Sequence, residues 1–241
     1  MSSRTASLQE TLVAAFQSQA NALYTAIPCV VVAIHLETQM VDIQPAINQK
    51  MKDGTVKERP VILGVPVSFP TSKTAGFTFP INVGDTGLAV FSMRNMDAWK
   101  SSNGKPSTPM NFAKFDKGDA IFIPGIQPTG VAVNNPAKHI WSHSPNDAVL
   151  FNGLGTASEA ELRIKPDGSI LLRTNQSISV ECDTADVLAD SSVTVTTPEL
   201  TIDAINCSWT GNVTHTGTFS FNGVVFSTHR HAPSVVPPTN P

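Results

Sequence analysis

Cysteine is scarce in this chain: three residues in 241, at positions 29, 182 and 207. The number is odd, the spacings are long and no Cys-x-x-Cys occurs, which argues against a disulfide framework or a cysteine-built zinc site. Cys182 and Cys207 fall in alternating patterns and read as small buried apolar residues. Charge is also low. Only 15% of residues are charged, the formal net charge is −3 and the pI is about 6.0, so a nucleic-acid footprint is missing. No run of 18 apolar residues exists, so no transmembrane helix is expected. Gln9, Glu10, Gln17, Gln19 and Asn21 make residues 8–27 too polar for a signal peptide, and folding in a cytoplasm is expected. Gly-x-Ser-x-Gly, a phosphate-binding glycine loop and His-Glu-x-x-His are all missing, and no carboxylate pair is marked out, so no enzyme is expected.

What is present is mostly β. Ser, Thr, Asn and Gln supply the polarity, as on the outer faces of strands. Helical spacing occurs once: Ser7-Leu8-Gln9-Glu10 has capping-box form, and Leu8, Leu12, Phe16 and Leu23 follow until Pro28. Its narrow apolar stripe is expected to pack on the next domain, or else on a partner. From Pro28 the period changes. Short strands are expected at Cys29–Ile34, Met40–Gln44, Val61–Phe69, Leu88–Ser92 and Asp119–Gly125, with Asp97-Ala98-Trp99 as a short helix between the last two. Five or six such strands suggest a small closed barrel of OB type over 28–130. Lys50, Lys52, Lys57 and Arg59 cluster without an interleaved aromatic and read as a solvated loop.

Residues 131–160 read as a connector carrying one short strand, Ala148–Phe151. Beyond Glu161 the alternation continues through Leu162 and Ile164, Ile178 and Val180, Val193 and Val195, Leu200 and Ile202, Val213, Phe219 and Phe221. One meander of such segments has little apolar mass and open edges. Three chains wound together close every edge around one shared core. A monomeric β-solenoid is the alternative, but it usually shows a tighter repeat.

Two of the six histidines sit at i and i+2 in Thr228-His229-Arg230-His231, where an extended backbone projects both to one side. Two imidazoles do not complete a metal shell, whereas three copies supply six nitrogens on a three-fold axis. Imidazole suits iron, nickel, copper or zinc, and a six-coordinate site argues against zinc. The site should fail as pH falls past the imidazole pKa of roughly 6.5. A cupin-type oxygenase also begins with His-x-His, but no glutamate or histidine follows His231. His139 and His143 could chelate on a helix, though Pro136 and Pro145 oppose one. His215 shares strand parity with Val213 and Phe219 and reads as packed or water-bonded; His35 reads as structural.

Together, Val83-Gly84-Asp85-Thr86-Gly87-Leu88-Ala89-Val90-Phe91-Ser92, its continuation Met93 to Lys100, and Asp119-Ala120-Ile121-Phe122-Ile123-Pro124-Gly125 resemble the N-terminal OB-fold domain of the central baseplate spike of contractile-tailed bacteriophages, the membrane-piercing tail tip. Thr228 to His231 resembles that family's metal-binding apex. The resemblance implies a homotrimeric virion protein at the tail baseplate tip, made in the host cytoplasm. It implies an N-terminal helix (1–27), an OB-fold collar (28–130), a connector (131–160), an intertwined β-helix shaft (161–215) and an apex (216–241). It further implies one iron ion per trimer held by His229 and His231 of each chain, baseplate hub proteins at the N-terminal side, and the host outer membrane as mechanical target. Enzymatic relatives carry an inserted lysozyme domain, for which no helical stretch exists here. The alternatives are the spike of a phage-derived bacteriocin or secretion-like particle, and a trimeric OB-fold adaptor for glycans or proteins.

Overall fold

The computed structural model describes residues 7–51, 53–133, 135–221 and 224–225. The chain divides into two units, Met1–Ser179 and Val180–Pro241.

The first unit begins with helix α1 (Leu8–Ala22). Ser7 Oγ accepts from the Glu10 amide at 3.2 Å, and Glu10 Oε2 accepts from the Ser7 amide at 2.8 Å, so two orphan donors of the first turn are satisfied. The helix ends sooner than Pro28. Strand β1 (Ala26–His35) already contains that proline, opposite Leu88. The sheet offers the backbone better partners: the Tyr24 amide donates to the Phe115 carbonyl and the Phe91 amide to that of Thr25. Leu8, Leu12 and Phe16 stay exposed, so the expected packing of α1 on the following domain does not occur.

Five strands form the main sheet in the order β5-β2-β1-β6-β7, every neighbouring pair antiparallel. They are β1, β2 (Met40–Pro45), β5 (Ile62–Pro66), β6 (Thr86–Phe91) and β7 (Ala120–Pro124). Two two-residue strands, β3 (Gln49–Lys50) and β4 (Val56–Lys57), make a small hairpin between β2 and β5. Lys50 and Lys57 therefore sit on strands rather than in a loop, because Asp53 Oδ1 accepts from both the amide and the hydroxyl of Thr55 and closes the turn. Arg59 lies over the Tyr24 ring, 5.7 Å from its centroid.

Alternation drives the sheet to curl. In β2 and β6 every second residue is buried. Val31, Val41, Ile43, Val65, Ala89 and Phe122 thereby meet in one core. Irregularities between Val31 and Ala33 and between Val41 and Ile43 add local twist. The outermost strands come together: Val67 bridges Phe122 in parallel, and the Ser68 amide donates to the Phe122 carbonyl at 2.8 Å. The result is mainly β, a half-barrel with its edges touching at one point.

Between β6 and β7 lies α2 (Asp97–Lys100), at the expected place. After two short 3-10 turns, Thr129–Val131 and Pro136–Lys138, strands β8 (Ala148–Asn152), β9 (Ala160–Ile164) and β10 (Ile170–Thr174) form an antiparallel sheet in the order β10-β9-β8. Register sets Leu150 opposite Leu162 and Leu162 opposite Leu172.

Beyond β10 the chain is different. From Asn175 to Phe219 no residue is in a strand and every one is exposed. The strands expected there do not form in one chain, and Cys182 and Cys207 are exposed rather than buried. The physical reason is the backbone: a strand needs a neighbour to take its N–H and C=O groups, and this segment has none among the described residues. Ser220–Phe221 (β11) and Val224–Val225 (β12) pair antiparallel.

Candidate functional site

The two motif stretches of the first unit fold against each other. β6 pairs with β7 from Gly87 opposite Pro124 to Phe91 opposite Ala120. A side chain at Gly87 would run into the Phe122 ring and the Ile123 carbonyl, so only glycine lets these strands close. Asp119 is buried and its Oδ1 accepts from the Met96 amide at 2.8 Å and from Asn95 Nδ2 at 3.2 Å. Its carbonyl takes the Ser92 amide. One carboxylate thus fastens the turn before α2 to the start of β7. In the other turn, Asp85 Oδ2 accepts from the Asn82 amide while its carbonyl accepts from Val31. Burial pushes the Cys29 thiol up to about 11, against the lowering effect of the Ala89 amide, so it is an inert core residue.

These arrangements are structural, and their segment has relatives. Residues 27–125 match the family model of the phage protein Gp138 N-terminal domain. The matched stretch takes in all five strands of the curled sheet and stops before β8. The match supports a phage structural protein and, with it, a component of the virion. No curated protein matches the chain.

Beyond the matched stretch, a charged cluster ties residues 139–147 to the three-stranded sheet. Glu161 and Arg163 stand two apart and leave the same face of β9, Glu159 immediately precedes the strand, and all three are buried. His139 Nδ1 donates to Glu159 Oε1 at 2.6 Å. The other oxygen of Glu159 accepts from the amides of Ile140 and Gly155, at 3.1 and 2.8 Å. Arg163 Nη2 reaches both oxygens of Glu161, at 2.7 and 2.9 Å, and the carbonyl of Trp141; Nη1 reaches the carbonyl of Ser142. Burial pushes the Glu159 carboxyl up, but the two amides and His139 outweigh it and hold the group below its ordinary range.

The histidines distribute unevenly. His139 and His143 share no helix, yet their rings come together with centroids 4.7 Å apart. The sequence pairs them only on a helix, which Pro136 and Pro145 oppose; the loop between those prolines brings the rings together instead. His35 ends β1 and bonds Asp42 Oδ1 at 3.0 Å. His215 is exposed, with its ring 5.6 Å from that of Phe219. His229 and His231 lie outside the described residues. The expected apex ligands are therefore not described, whereas His139, which the sequence places beside His143, joins a buried charged cluster. Alternation of charged residues in Glu159-x-Glu161-x-Arg163 was the available signal; acids on a strand read as solvent-facing until something covers them.

A second uncovered feature is apolar. Leu150, Ile164, Ile170 and Leu172 occupy the opposite face of the three-stranded sheet and are 46–68% exposed. In the second unit, Val180, Leu200 and Ile202 are 56–79% exposed. No described helix is long and apolar enough to cross a membrane.

Proposed function

We propose that the chain is one subunit of a homotrimeric, non-enzymatic spike at the baseplate tip of a contractile phage tail, which is driven through the host outer membrane when the sheath contracts. The observation that carries this reading is the uncovered apolar alternation of residues 178–219. Val180, Leu188, Val195, Leu200 and Ile202 are each more than half exposed. Apolar side chains left at that density in water call for a partner. Copies of the same chain offer the same period over the same length, and winding them together satisfies backbone and side chains at once.

The Gp138-type match supports the phage setting. The strand order β5-β2-β1-β6-β7, with parallel contact between its ends, supports reading the first domain as an OB-type barrel, a five-stranded, partly open architecture. In the assembly it forms the collar, and the hub proteins of the baseplate sit on its N-terminal side. At the other end His229 and His231 of three copies hold one iron ion. Its role is mechanical: six ligand bonds tie together chain ends too short to bury a core.

Mass determination of the intact protein tests the assembly. Three copies are expected, and a clean monomer would sink the spike. Metal analysis of the wild type beside His231→Ala tests the apex. One iron per three chains should be present in the first and lost in the second; equal metal in both, or none in either, removes the apex site.

A further inference from the structure

The cluster beneath the three-stranded sheet has a chemistry that the spike reading does not use. One ligand-capable atom from each of His139, Glu159 and Glu161 lies within 4.8 Å of the others, and all three residues are buried. Ligands of one divalent ion at about 2.1 Å stand roughly 3.0–3.4 Å apart, so an ion here would spread the His139–Glu159 pair from 2.6 Å and draw a Glu161 oxygen inward.

Charge points the same way. Three carboxylates, those of Glu159, Glu161 and Asp147, have side chains no more than 6% exposed, and they face one guanidinium, that of Arg163. With neutral imidazoles the cluster carries a net charge of −2, which is costly away from water. Arg173 stands opposite Glu161 in register but is half-buried and forms no ion pair within 4.0 Å. One divalent cation brings the cluster to neutrality.

An independent observation comes from His143. Its Nδ1 bonds the Ser144 carbonyl at 2.7 Å; a carbonyl only accepts, so the proton is on Nδ1 and the lone pair on Nε2. That Nε2 is shut off from solvent and has no partner among the described residues, and His143 lines a pocket of about 420 Å³ together with His139 and Asp147. An unpartnered imidazole nitrogen in a cavity shared with His139 and Asp147 leaves a polar position for a ligand to fill.

We propose that His139, Glu159 and Glu161 form a divalent-cation site, one per chain, in which the ion comes between His139 Nδ1 and Glu159 Oε1 and the imidazole carries its single proton on Nε2 instead. The mixed imidazole and carboxylate donors select a borderline ion such as zinc, manganese or cobalt rather than calcium or magnesium. The ion pins residues 139–147 to β9, at the point where the chain leaves the Gp138-type domain. The site is independent of the apex and differs from it in stoichiometry.

The test uses the full chain carrying His229→Ala and His231→Ala, which removes the apex ligands. After incubation with zinc chloride and exhaustive dialysis, elemental analysis should find one ion per chain; the apex would account for one ion per three. Adding Glu159→Gln should weaken zinc binding at least tenfold in titration calorimetry. Cobalt substitution gives a second readout, a visible absorption band of a nitrogen- and oxygen-ligated ion that Glu161→Gln should shift or abolish. Should Glu159→Gln fail to fold, the melting temperature of the apex-free chain decides: zinc must raise it. No retained ion with no zinc-dependent shift overturns the site, as does equal retention by folded Glu159→Gln; the cluster is then a proton-linked clamp only.

Discussion

Residues 26–174 and residues 175–219 use the same alternation of apolar and polar side chains, but one chain suffices to bury it only in the first. In β2 and β6 the apolar half of the pattern lands on Phe122, Val65 and their neighbours, because strands from elsewhere in the same domain curl round to meet them. In the later segment Val193, Val195, Leu200 and Ile202 keep the period but meet nothing. A period of 2 specifies which side of a strand is apolar; it does not supply the strand next door. The three-stranded sheet is intermediate: one face is closed by the His139–Arg163 cluster, and the other leaves Leu150 and Leu172 exposed.

The largest effect should come from charging the uncovered segment. In the full chain, Val193→Asp, Val195→Asp and Ile202→Asp together should abolish assembly, read as monomer by light scattering. Each apolar side chain is worth about 1.5–3 kcal/mol if fully buried, and three copies multiply the loss. Persistence of the trimer would show that this segment is not its core. The contrast is sharpened by Phe122→Ala, which should cost about 3–5 kcal/mol of domain stability in urea unfolding, since its ring fills the curled sheet. Folded Phe122→Ala chains should still assemble, because the core around Phe122 is built without residues 175–219.

Asp119→Ala should cost about 1–3 kcal/mol, because the Met96 amide then loses its acceptor in a buried place. Asp119→Asn keeps one acceptor oxygen and should cost less; equal losses would mean that the bond to Met96 does not hold the turn. A smaller, pH-restricted effect concerns Glu159. Its carboxyl is held low in the fold, so its stabilising contribution is complete above the ordinary carboxylate pKa. That contribution is lost as pH falls through the lower folded value. Acid unfolding of the wild type should therefore steepen below about pH 4.3, the ordinary Glu value. Glu159→Gln should flatten that limb, and an unchanged acid limb would rule out the linkage. The smallest effect belongs to Ser7→Ala, which should remove about 1 kcal/mol from helix α1 with no change in the sheets, as read by helical circular dichroism.

Much of the first domain was legible in sequence. Cys29–Ile34, Met40–Gln44 and Leu88–Ser92 carry their own period, and the glycines and Asp119 punctuate them, so strands and the short helix fell where expected. Pro28 misled, because proline is compatible with a strand whose carbonyl finds a partner, here the Ala46 amide. The charged cluster was hidden for a different reason. His139 and Glu159 are far apart in sequence, and nothing local says that a loop will lie across the acidic face of β9.

The sequence by itself determined the β character, the capping box of α1, the strands of the Gp138-type domain and the adjacency of His229 and His231, because each follows from spacing along a few residues. Only the tertiary structure decided which alternating segments find a core and which stay bare, that the outer strands meet at Val67 and Phe122, and that three acids, an arginine and two histidines share one buried place. Those outcomes depend on contacts between residues distant in the chain, where the energy of burial is settled by what arrives on the other side.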